Sequence, residues 1–289
     1  MKTLDEKTRK LILSFQRNEI TEHIIYKILS ERTKDRNNSE VLKNISAEEL
    51  EHYNFWRKYT GEDVGPDRKK IWFYIFVSRV FGLTFGIKLM EKGETSAETA
   101  YGEIAREIPE ARDIADQEDA HERELMSMID EERLRYVGSV VLGLNDALVE
   151  LTGALSGFTL ALQDTKLIAV VGLVTGISAS LSMAASEYLA TKTEEDEKHP
   201  LKASLYTGAA YIATVFILIL PFFFFGNPFV SLAVTITSAV IIIMFFNYYI
   251  SVAKDLPFRR RFLEMAAISL GVSAISFFIG HLVRIIFKL

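Results

Sequence analysis

Five apolar stretches fill the second half of the chain, at about residues 137–162, 166–190, 203–225, 229–252 and 262–286. Each is long enough to cross a hydrocarbon core, which takes roughly 20 apolar residues per helix. Lipid offers no partner to a bare N–H or C=O, so segments of this kind must be helical. The second half is therefore expected to be a five-span helical domain, residues 135–289. Basic residues in the short loops set its orientation. Lys192, Lys198 and Lys202 follow the second stretch and Lys254, Arg259, Arg260 and Arg261 the fourth, whereas the other two loops hold Lys166 alone. This asymmetry predicts a multi-pass cell-membrane protein with residues 1–134 in the cytoplasm and the C-terminus outside.

The first 134 residues belong to a different solvent. Most of the charge lies there, so the net charge of −5 averages over two environments and says little about partners. No basic patch interleaved with aromatics suggests nucleic acid. The chain has no cysteine, which excludes disulfides, thiolate metal sites and Cys-held iron–sulfur relays. The opening MKTLDEKTRK has no apolar core of the signal-peptide kind, so insertion is expected to use the internal segments.

Helical periodicity predicts four helices in this half, at about 3–33, 39–59, 67–107 and from Pro109 to about 133. Residues 71–90, IWFYIFVSRVFGLTFGIKLM, are nearly long enough to span a bilayer. A span there would put residues before and after it on opposite sides of the membrane, and Arg79 and Lys88 argue against it. The segment reads as a buried or dimer-forming part of the third helix, with an interfacial helix as the other reading.

Two Glu-x-x-His tetrads, Glu49/His52 and Glu118/His121, fall on the second and fourth helices. Residues three apart share a helix face, so each pair can reach one metal ion. A Glu from each of two helices and a Glu-x-x-His from each of two others is a ligand set that holds two metal ions in a helical bundle. The other two helices carry matched Glu-x6-Tyr spacings, Glu19 with Tyr26 and Glu94 with Tyr101. Two helical turns place each Tyr on the face of its Glu, where a phenol can hydrogen-bond a ligand. A single Glu-x-x-His is usually a solvated face; two of them on alternate helices of such a pattern are not.

These half-repeats, with HYNFW after the first tetrad and AHERELM through the second, resemble the ferritin-like domains of rubrerythrins over about residues 10–133. The resemblance implies a four-helix di-metal bundle with Glu19, Glu49, His52, Glu94, Glu118 and His121 as ligands of Fe2+ or manganese. Rubrerythrins often have a further carboxylate on the third helix, a position for which Glu91 and Glu98 are available without matching spacing. The missing Cys-based module departs from the family and counts against a peroxidase with its own electron donor.

Ionisable groups within spans mark pathways by default. The first span has Asn145, Asp146 and Glu150, and the second has Met183 and Glu187 among small residues that allow close helix approach. Ordinary packing is the plain reading of Met183. The strings VGSVVLGLNDALVELTGALSG and GLVTGISASLSMAASEYLATKTEED resemble the first two spans of the vacuolar iron transporter family. That resemblance implies a five-span protomer, a homodimer with the ion path at its interface, and divalent-iron transport coupled to protons. It puts Asp146 and Met183 on the path, with Asn145, Glu150 and Glu187 assisting. Plant-type members have a longer insertion after the second span; here it is TKTEEDEKHPLKA, whose Glu194, Glu195, Asp196, Glu197 and His199 read as a solvated charge run.

The expected whole is all-α, a cytoplasmic bundle at 1–134 followed by the membrane domain. It resembles the membrane-bound ferritins, which implies a transporter that exports iron, or manganese, by proton antiport after capture or sensing by the bundle. The alternative is a membrane-anchored ferroxidase or peroxide-scavenging enzyme.

Overall fold

The computed structural model describes residues 5–90, 92, 104–105, 108–127, 136–193 and 198–287. All regular structure among them is helical, and the chain divides into two compact units, Met1–Glu131 and Glu132–Leu289.

In the first unit, α1 (Glu6–Arg32) and α2 (Arg36–Thr60) form an antiparallel pair joined by a three-residue turn. Asp5 and Asp35 cap them by accepting from the backbone N–H of Thr8 and Asn38, at 2.6 and 2.8 Å. A carboxylate there satisfies an orphan donor and favours the positive end of the helix. The Asp35 cap starts α2 at Arg36, so the Arg36–Ser39 stretch expected to interrupt the helices instead opens the second. Gly61, at φ 68°, closes it.

α3 (Arg68–Phe81) packs on α1, and α4 (Ala111–Ser127) packs on α2. The single third helix expected over 67–107 is broken. Gly82 has φ 103° and ψ 155°, a backbone conformation open to glycine alone, and helix resumes over 83–90. Among the described residues, no helix of this segment is long and apolar enough to count as a span.

Three helices of this unit share one inward register. Its positions are Ile12, Phe15, Glu19, Glu22 and Tyr26 on α1, and Leu42, Ile45, Glu49, His52 and Trp56 on α2. On α4 they are Ala111, Ile114, Glu118, His121 and Leu125. Each row steps by three and four residues, the spacing that keeps side chains on one stripe. All fifteen are buried except the half-buried Glu118. The apolar members sort into two layers. Ile12, Phe15, Trp56, Ile104, Ile108, Ala111 and Ile114 form one, and Ile25, Tyr26, Leu29, Leu42, Ile45, Ile87, Met90 and Leu125 the other. The Glu and His positions occupy the stretch of each helix between them.

The second unit consists of α5 (Val137–Leu162), α6 (Thr165–Thr193), α7 (Pro200–Phe224), α8 (Pro228–Ala253) and α9 (Phe258–Phe287). All five have the length and composition of a membrane span and lie where the sequence predicts them. Leu148, Leu151, Leu155, Tyr211, Val215 and Leu218 are fully buried within it. By contrast, Val174, Leu181, Phe223, Ile275 and Ile286 are well exposed, as expected of surfaces that face acyl chains. Hydroxyls tie the helices together, as is usual where lipid provides no hydrophobic drive between them. Ser269 donates to Leu148 O at 2.7 Å (α9 to α5), Thr207 to Ser139 O at 2.9 Å (α7 to α5) and Thr235 to Leu218 O at 2.8 Å (α8 to α7). α5 and α9 approach closely at Gly280, where an added Cβ would stand 2.2 Å from Gly157 O.

Candidate metal centre

The polar layer between the two apolar layers of the first unit brings four predicted ligands together. Ligand atoms of Glu19, Glu49, His52 and Glu118 all lie within 4.8 Å of one another. Atoms bound to one ion at about 2.0–2.2 Å can be no more than about 4.4 Å apart, so only a small contraction is needed. His52 Nδ1 faces Glu118 Oε1 at 2.9 Å, Glu49 Oε2 at 3.5 Å and Glu19 Oε2 at 3.8 Å.

His121 stands on the other side of the same carboxylates. Its Nδ1 lies 3.1 Å from Glu49 Oε1 and 3.7 Å from Glu118 Oε2. Glu49 and Glu118 thus each turn one oxygen toward either histidine, and the two rings are stacked with centroids 5.7 Å apart. Glu19, Glu49, His52 and Glu118 form a group that could hold a metal ion, and His121 stands beside it against the same two carboxylates. Glu94, the carboxylate expected on the third helix, lies outside the described residues, as do Tyr101, Glu91, Glu98 and the acidic run 194–197.

Whether these residues fit metal is decided by their unpaired atoms. Glu49 Oε2, His52 Nδ1 and Glu118 Oε1 are buried and have no hydrogen-bond partner. His52 Nδ1 and Glu118 Oε1 are close but out of line for a hydrogen bond. Buried polar atoms left without partners cost free energy, of order 1–3 kcal/mol each. Three that converge on one point are accounted for by a cation at that point. Mixed carboxylate and imidazole donors suit iron, manganese or zinc.

The electrostatics agree. Burial opposes a charged His52 ring, but the neighbouring carboxylates of Glu118, Glu19 and Glu49 outweigh it and hold the ring cationic well above its ordinary range. His121 follows the same balance, burial against Glu118 and Glu49, and is pushed up to about 11. For Glu118 burial works upward, yet His121 and His52 prevail and bring it down to about 2. Glu19, fully buried, is pushed well up by that burial. Without metal, protons occupy the places a cation would take.

The surrounding contacts add residues that spacing alone did not single out. Trp56 Nε1 donates to Glu19 Oε1 at 3.1 Å, His52 Nε2 meets Gln117 Oε1 at 2.8 Å, and His121 Nε2 meets Glu48 Oε2. Both imidazoles are thereby held by Nε2 with Nδ1 directed inward. Glu22, buried one turn beyond Glu19, holds the α1 position equivalent to the two histidines. Tyr26 is buried in the apolar layer with Ile25 and Leu42.

In the membrane unit Asp146 and Glu150 lie beside each other, while Met183 and Glu187 stand elsewhere. Asn145 and Asp146 line a shallow cavity of about 430 Å³ on α5, with Met265 of α9 at its edge. Glu150, one turn along, accepts from the buried Tyr211 hydroxyl of α7 at 2.9 Å. Glu187 on α6 accepts from Ser139 of α5 at 2.6 Å. Met183 packs against the apolar core of the unit and does not line the cavity.

A comparison with curated proteins finds no match. Residues 137–199, which span α5, α6 and the turn after them and include Asn145, Asp146, Glu150, Met183 and Glu187, match the model of the VIT family. Together with the five apolar helices, that match supports a multi-pass membrane protein whose first two spans are similar to the VIT family.

Proposed function

We propose that the chain transports a divalent transition metal, iron foremost and manganese next, and that its N-terminal unit collects the ion as a ferritin-like di-metal bundle. The match of 137–199 to the VIT family carries this reading, because it falls on the segment that holds Asp146. Asp146 lies in a cavity with the amide Asn145 and the thioether Met265, donors that a partly dehydrated cation can use. An ionisable side chain kept within a span has a functional default. A tether would need none.

In this reading Glu19, Glu49, His52 and Glu118 hold one ion in the N-terminal unit, and His121 with Glu49 and Glu118 a second. Bound iron would supply redox chemistry there. Trp56, Gln117 and Glu48 orient the ligands, and the apolar layers on either side keep water from the carboxylates. Carboxylates and imidazoles that hold protons until a cation displaces them link metal binding to proton release, which supports export by proton antiport as the proposed mode. The loop charges favour a cytoplasmic N-terminal unit, and pairing of two protomers would enclose the open cavity at Asp146.

The second reading, a membrane-anchored ferroxidase or peroxide scavenger, draws on the two adjacent positions bridged by Glu49 and Glu118. Flux measurements separate the two. Purified protein in liposomes with an interior pH reporter should show ferrous-dependent flux with opposed proton movement, and Asp146→Ala should abolish both. Oxygen or peroxide consumption without any ferrous or manganous flux would establish the enzyme instead.

A further inference from the structure

One face of α3 takes no part in the core of its unit. Arg68, Lys69, Trp72, Phe73, Phe76, Arg79 and Val80 recur at helical spacing on one side, and all seven are exposed, Trp72 by 68%. Val77 and Ser78, on the other side, are buried. The Trp72 and Phe76 rings stack on each other in the open, with centroids 5.4 Å apart. Beside the C-terminal end of this face is a cavity of about 640 Å³, lined by the apolar Leu29, Ile75 and Leu83 and by three cations, Arg32, Lys34 and Arg79, against one carboxylate, Asp35.

We propose that this face of α3 and the basic cavity beside it dock on the anionic headgroup surface of a lipid bilayer. An aromatic stripe flanked by Arg and Lys is the composition of a helix that lies in the interface plane. At 14 residues α3 is too short to cross the bilayer and is stopped by Gly82, so it suits the surface alone. The spans of the same chain hold it at a membrane, which raises the effective concentration of that surface. Charge selects lipid over a second copy of the chain: two such faces in contact would bring Arg68, Lys69 and Arg79 against like charges, whereas anionic headgroups complement them.

The two tryptophans make the test direct, since Trp56 is fully buried and Trp72 exposed. Full-length protein is reconstituted in anionic bilayers whose acyl chains carry bromine near the headgroup, and its emission is compared with that in unbrominated lipid. The proposal requires emission to fall in brominated lipid to the level of Trp72→Phe, which itself should not be quenched. Arg68→Gln, Lys69→Gln and Arg79→Gln together should relieve the quenching with helix content unchanged. Equal emission of the wild type in both lipids overturns the proposal. So does efficient disulfide cross-linking between copies of a Phe76→Cys chain, which has no other cysteine, because it assigns the face to a second protomer.

Discussion

At the residue scale the centre is a competition between protons and metal. His52, His121 and Glu19 all bind protons more tightly in the folded protein than free, so they stabilise the metal-free unit fully only below their ordinary values, 6.5 for the histidines and 4.5 for Glu19. That contribution is lost as pH rises, for His121 through about 11. Glu118 has the opposite sign: its contribution is present above its ordinary 4.5 and lost as pH falls toward about 2. The metal-free protein should therefore melt at progressively lower temperature as pH is raised above 6.5, and metal should bind more tightly over the same range because its ligands must shed protons. Calorimetry with and without manganous ion across pH reads both; a metal affinity independent of pH would contradict the proton-filled centre. The supporting contacts make a second prediction. Trp56→Phe removes the donor to Glu19 and Gln117→Ala the partner of His52, and each should weaken metal binding by about 10–100-fold with little loss of helix. The clustering of Glu49, His52 and Glu118 was legible in the sequence because Glu-x-x-His is a local pattern on one helix. Trp56, Gln117 and Glu48 were not, because their roles depend on how α1, α2 and α4 are rotated about their axes.

At the scale of elements the same difference recurs. The five spans were readable because length and apolarity alone define them in lipid, and their ends fall within a few residues of the expected ones. The break at Gly82 was hidden, since apolar residues continue on both sides of it and helical periodicity has no sign for a glycine at φ 103°. Gly82→Ala should place a Cβ where the backbone forbids one and lower the stability of the first unit by about 1–3 kcal/mol. Thermal unfolding of the detergent-solubilised chain checks this; an unchanged midpoint would mean that the helix can run straight. Gly280 is a matching case in the membrane unit. A Cβ there meets the Gly157 carbonyl at 2.2 Å, so Gly280→Val should part α5 from α9 at a cost of about 1–3 kcal/mol, seen as a lower midpoint and loss of metal flux. The shared register of α1, α2 and α4, with Glu22 at the position of the histidines, is written in the sequence, yet only burial of the whole row gives it meaning.

Across the whole molecule, the chain joins a unit with a buried Glu and His cluster to a unit of five apolar helices. In the proposed function the two sets of charged residues have different tasks. Removing ligands from the N-terminal unit should change how much metal is gathered at low supply, whereas removing Asp146 should change whether any metal crosses. The cavity at Asp146 and the layer at Glu49 are thus separable by kinetics. The most direct measurement is the initial rate of ferrous uptake by proteoliposomes, as a function of ferrous concentration, for the wild type, the Glu49→Ala/Glu118→Ala variant and Asp146→Ala. The account predicts a raised half-saturation concentration with flux retained at high metal for the double variant, and no flux at any concentration for Asp146→Ala. Unchanged flux in Asp146→Ala, or wild-type vesicles that take up no metal, would contradict it.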